Sequence, residues 1–167
     1  MRYNLILIAG LLFCSPLLKA QKGCTQTLQI STENINKMFA ALGDLSIRGT
    51  SIESKSTGFT EWLSAICMDG QTKDGSVYSS SRSDGVKFTF LENGKEKEAN
   101  KLFDKLGELL DNSKPSGWVD ELKEFKNVDN VYYFLRDQDP NKTKEVRLKL
   151  EKSFGKYSVF IWFEAYH

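Results

Sequence analysis

The chain has 167 residues and a single histidine, His167, which is also its last residue. Chain ends are mobile unless tied down. A serine or cysteine nucleophile that depends on an imidazole base therefore has no suitable partner. The cluster Ser79-Ser80-Ser81 with Ser83 accordingly reads as an exposed strand end or turn. There are only three cysteines, and without histidines near them they do not make a four-ligand zinc set. No glycine-lysine-threonine signature of a phosphate loop occurs, and the glycines sit singly. Charge of one sign is also missing: 23 basic against 22 acidic residues leave +1, no footprint for nucleic acid or anionic lipid. These absences assign no catalytic residue, no metal and no cofactor.

The most informative segment is the first twenty residues. A short charged start is followed by the apolar run Leu5–Phe13, then Ser15-Pro16-Leu17-Leu18-Lys19-Ala20. Nine apolar residues cannot span a bilayer, which takes about 20. A small residue before a polar segment instead marks a secretory signal over residues 1–20. Leu18, three residues before the cut, is larger than such sites prefer, so the cut can fall a few residues away. A lipid anchor is the rival reading. Cys14 follows bulky Phe13 and Cys24 follows Gln21-Lys22-Gly23, neither a small apolar context. The expectation is a single domain over 21–167, extracytoplasmic (periplasmic or secreted), meeting a membrane only transiently through its signal. Losing Arg2 and Lys19 with the signal turns the charge from +1 to −1.

Two cysteines then remain, Cys24 and Cys67. In an oxidising compartment a pair is expected to bridge. The bridge closes a loop of roughly 44 residues and stabilises by about 4 kcal/mol in the chain-entropy model.

Periodicity gives the elements. Residues 21–31 form a lead-in or short strand. Ile35, Met38, Phe39 and Leu42 share one helical face over 33–42, with Thr32 able to cap and Gly43 to stop it. Residues 46–58 read as a loop or an irregular edge strand. Residues 59–68 fit a helix or a strand. Asp69-Gly70, Asp74-Gly75 and Asp84-Gly85 favour tight turns, and Val86, Phe88 and Phe90 alternate as a half-buried strand. The best helix spans 95–112, with Ala99, Leu102, Phe103, Leu106 and Leu109 in its apolar stripe. Trp118, Leu122 and Phe125 are spaced like a short helix. Strands follow at 131–136, around Val146, Leu148 and Leu150, and over 157–166, with a hairpin at Phe154-Gly155. The class is α+β: an antiparallel sheet of about five to six strands with two main amphipathic helices packed on it. Each half opens with a helix and continues in strands, a hint of duplication that no residue pattern supports.

Three features bear on function. Asp137-x-Asp139-x-Asn141 opens like a calcium loop, but Lys142 stands where glycine is required and Leu148 where a bidentate glutamate belongs. Asn141-Lys142-Thr143 is a formal glycosylation acceptor, meaningful only in a eukaryotic secretory pathway. Glu164 lies in an apolar strand near the end of the chain. An edge position with its carboxylate in water is the simplest expectation, and a buried carboxylate with raised pKa is the alternative.

The terminal strand is apolar on both sides. Tyr157, Val159, Ile161 and Phe163 share one face, and Phe160, Trp162 and Tyr166 the other. If two helices cover one face only, Phe160, Trp162 and Tyr166, with Tyr132 and Phe134, line an open one. Exposed aromatics mark ligand or partner sites. Closure of that face by residues 46–58 and 113–128, with Trp118, is the commoner outcome. The functional expectation is a non-catalytic binding module for a small apolar or sugar ligand or a protein partner. A carboxylate-dependent hydrolase centred on Glu164, and an inhibitor or assembly partner of another exported protein, are the alternatives.

Overall fold

The computed structural model describes residues 24–52, 60–125, 130–138 and 144–167. The signal segment, the acceptor Asn141-Lys142-Thr143 and residues 139–143 of the calcium-like stretch lie outside the described residues.

Helix α1 (Thr32–Asp44) begins one residue earlier than its periodicity indicates. Ser31 is its N-cap, and the Ser31 hydroxyl accepts a hydrogen bond from the Asn34 N–H at 3.2 Å. Thr32 is already helical and turns its hydroxyl to the carbonyl of Ser113. Gly43 does not end the helix; Leu45 does, in the left-handed conformation at φ 63°. Ile35, Met38, Phe39, Ala41 and Leu42 form the buried side. Helix α2 (Glu96–Asn112) has no side-chain cap but carries Glu96 and Glu98 in its first turn, where acids complement the helix dipole. Its stripe is turned slightly from the expected one: Leu110 is fully buried while Leu109 is exposed.

The sheet is larger than the sequence indicates. Eight strands pair in the order β2-β3-β5-β6-β10-β9-β8-β7, all antiparallel. They are β2 (Arg48–Ile52), β3 (Thr60–Ser64), β5 (Ser76–Ser79), β6 (Ser83–Gly94), β7 (Trp118–Phe125), β8 (Asn130–Asp137), β9 (Lys144–Ser153) and β10 (Lys156–Tyr166). Two further strands, β1 (Gln26–Leu28) and β4 (Ile66–Met68), make a small parallel pair. The surplus over five or six has three sources, of which only the last is a correction. The polar stretch after residue 46 supplies β2. The ambiguous stretch up to Met68 is two strands broken at Ala65. Trp118–Phe125 is a strand, not a short helix, because it finds all eight of its partners along β8.

Cys24 and Cys67 are bridged, with Cα atoms 5.6 Å apart. The bond joins Cys24, two residues before β1, to β4, where Thr27 already pairs with Cys67. Leu28 and Met68 beside it are buried in the core.

The topology repeats. A helix followed by a four-stranded antiparallel run occurs twice, α1 with β2-β3-β5-β6 and α2 with β7-β8-β9-β10. The last strands of the two runs, β6 and β10, pair at the centre of the sheet. Both helices pack on the same side, α1 on β10 and β6 and α2 chiefly on β10 and β9. Phe163 meets Phe39 of α1 at 5.7 Å and Phe88 at 6.1 Å between ring centres. Val86, Phe88, Val146, Leu148, Val159, Ile161 and Phe163 are completely buried on this side. Among the described residues, no helix is long and apolar enough to cross a membrane.

Candidate functional site

Both described helices occupy one side of the sheet, so the outward side chains of the other side define the site. Strand pairing fixes who faces whom. Phe160 of β10 stands opposite Thr89 of β6 and Lys149 of β9, and Lys149 opposite Tyr132 of β8. One step along, Trp162 stands opposite Lys87 and Arg147, and Arg147 opposite Phe134. Four of the five aromatics expected from sequence thus lie in two adjacent rows across three strands. Tyr166 ends the same side of β10. The described parts of the segments expected to close this face do not do so: β2 and β7 belong to the sheet itself, Trp118 packs on Phe39 at 5.4 Å on the helix side, and residues 126–128 of the second segment lie outside the described residues. Of the first segment, residues 53–58 lie outside the described residues.

The aromatics are not left bare. Tyr132 and Phe134 stack at 5.6 Å, and Phe160 and Trp162 meet at 5.4 Å. Cations sit against them. The Lys87 ammonium is 3.9 Å from the Phe160 ring centre and 5.0 Å from that of Trp162. Lys149 lies 5.5 Å from Tyr132 and 5.9 Å from Trp162, and Arg136 is 4.6 Å from Phe134. Such contacts are worth about 0.5–2 kcal/mol each, rising with desolvation. Phe160 and Phe134 are only 7% exposed, Trp162 and Tyr132 are half-buried, and Tyr166 is 40% exposed.

Beside the aromatics runs an ion-pair chain. Arg136 pairs with Glu145, Arg147 contacts Glu145 at 2.5 Å and also pairs with Glu164. Glu164 is buried, not an edge carboxylate in water, because β10 lies between β6 and β9 rather than at an edge. Ser83 and Tyr166 each donate a hydroxyl hydrogen bond to Glu164 at 2.9 Å, and Arg147 donates to the Tyr166 oxygen at 2.8 Å. Glu145 is therefore engaged by two guanidinium groups, and Glu164 by one guanidinium and two hydroxyl donors. Burial works against the charge of Arg147, but Glu145 and Tyr166 outweigh it and hold its pKa above the ordinary value.

Tyr78 completes the face. It lies across Gly85, where a β-carbon would stand 2.2 Å from its ring. Asp84-Gly85 is therefore no turn; it sits inside β6, where glycine gives Tyr78 room to cross the strand. Burial pushes the Tyr78 hydroxyl up to about 12, with the Arg147 charge opposing it.

The cations are what sequence reasoning missed. Lys87, Arg147 and Lys149 are the polar residues that alternate with the apolar ones in two half-buried strands, and their side is where Phe160 and Trp162 point. Among the described residues no group of three or more histidine, cysteine or carboxylate side chains is placed to hold a metal. Comparisons with known proteins add nothing to the geometry: no family model, curated protein or solved structure matches the chain.

Proposed function

We propose that the protein is a non-catalytic ligand- or protein-binding module acting outside the cytoplasm, and that the helix-free face of its sheet is the binding surface. One observation carries this reading: both helices lie on one side, and the other side gathers Phe160, Trp162, Tyr132, Phe134 and Tyr166 with cations between them. A face needed only for solubility has no reason to concentrate large aromatic side chains, which contribute wide apolar area with a polar tip. The disulfide supports an oxidising compartment. The engaged state of Glu164 and Glu145 supports a structural part for them, fixing the end of the face, over hydrolytic chemistry.

Nuclear magnetic resonance titration with small aromatic compounds and neutral oligosaccharides tests the reading. Shifts are expected at the Trp162 indole N–H and along the outward residues of β8, β9 and β10. Changes confined to the helix side, or none anywhere, sink it.

A further inference from the structure

Lys87 differs from the other cations of the face. Arg136 pairs with Glu145 and Glu121, Arg147 with Glu145 and Glu164, and Lys149 with Glu151 at 3.1 Å. Lys87 has no carboxylate within ion-pair distance among the described residues. Its cross-strand neighbours are Ser76 and Trp162, both uncharged. It is half-buried against Phe160 and Trp162. A partly desolvated ammonium that keeps only ring contacts lacks the counter-charge such groups normally have. Lys149 approaches the same indole from the neighbouring strand β9, and β6 and β9 flank β10 on either side. Two ammonium groups thus converge on the Trp162 ring, and one of them, Lys87, has no carboxylate within ion-pair distance among the described residues.

Resting on the reading of this face as a binding surface, we propose that its ligand is a small organic anion. A flat apolar body would lie on Trp162, and a carboxylate would be held by Lys87 with Lys149 as a second, weaker contact. Charge complementarity chooses this occupant: Glu145, Glu164 and Glu151 on this face are paired with Arg136, Arg147 and Lys149, while Lys87 has no carboxylate within ion-pair distance among the described residues. Burial lowers the Lys87 pKa and the neighbouring Lys149 charge adds to this, with Glu151, Glu92 and Glu61 opposing from beyond ion-pair distance. A bound carboxylate supplies at close range the charge that burial makes scarce.

The test uses 2-naphthoate and its neutral isostere 2-naphthamide, titrated into the oxidised protein and followed at the Trp162 indole N–H. Naphthoate is expected to bind at least ten-fold more tightly than naphthamide. Lys87→Met should remove that preference, and Lys149→Met should reduce it by a few-fold. Lys87→Gln provides a second variant should the methionine form misfold, and thermal melting reports the fold of each. Equal affinity for the two probes overturns the anion assignment while leaving the binding face standing. A preference that survives loss of Lys87 also overturns it. Binding of neither probe overturns the anion assignment, and if neutral sugars and aromatics also fail, the binding face falls with it.

Discussion

The two sides of one strand, β10, show two ways of closing an apolar surface. On the helix side Val159, Ile161 and Phe163 are completely buried by other apolar side chains. On the opposite side Phe160 and Trp162 are shielded by ammonium groups, and Glu164 by a guanidinium and two hydroxyls. The first is dispersion and water exclusion, with nothing held in reserve. The second leaves charges and ring faces near solvent, where an incoming molecule can replace them. One side is therefore a core and the other is a mixed aromatic and charged surface.

The contrast predicts unequal responses to truncation. Phe163→Ala should cost about 3–5 kcal/mol, as for deletion of a large core ring, whereas Trp162→Ala should cost about 1–2 kcal/mol, since a half-buried ring leaves a smaller void. Denaturant unfolding of both variants checks this, and equal losses would abolish the distinction. Opening the Cys24–Cys67 bond should remove up to about 4 kcal/mol. Because Leu28 and Met68 belong to the helix-side core, the loss should appear there first. Hydrogen exchange with and without reductant should show α1 and β4 loosening while the outward residues of β9 and β10 keep their protection.

On the open side, Arg147→Met leaves Glu145 and Glu164 without their shared cation. A cost of about 2–3 kcal/mol is expected, less than for a fully buried pair because Arg147 is partly exposed. Gly85→Ala should cost about 1–3 kcal/mol by displacing Tyr78. In a Tyr78→Ala background the same change should be nearly harmless, and a double-mutant cycle measures that coupling. The smallest effect lies at high pH. Tyr78 on the open side and Tyr133 on the helix side are both held near 12, chiefly by burial. Their folded-state values exceed the ordinary value of 10, so the stabilisation is complete below pH 10 and is lost as pH rises from 10 towards 12. Tyr78→Phe should make that loss shallower, read by melting temperature across the alkaline range.

Much of this was legible in the chain because local chemistry enforces it. The 3.6-residue spacing of Ile35, Met38, Phe39 and Leu42 and the alternation of Val146, Leu148 and Leu150 each name a buried side without reference to any neighbour. The aromatics of the face were legible too, since Phe160 and Trp162 fall on one side of any strand. What failed did so for want of a partner in sequence. Trp118–Phe125 carries a helix-like spacing that pairing along β8 overrides. Asp84-Gly85 has turn chemistry, but the cross-strand contact with Tyr78 holds it extended. Lys87 and Lys149 look like ordinary surface lysines until β6 and β9 are placed on either side of β10.

The order of residues alone determined the helical stripes, the period-two faces and the availability of two cysteines to bridge, because each depends on spacing of a few residues or on compartment chemistry. Only the tertiary structure decided that two four-stranded runs join through β6 and β10 and that both helices take the same side. A strand apolar on both faces carries no mark of which face will be covered. That choice follows from the packing of whole layers, and it turned one aromatic row into core and left the other beside charge.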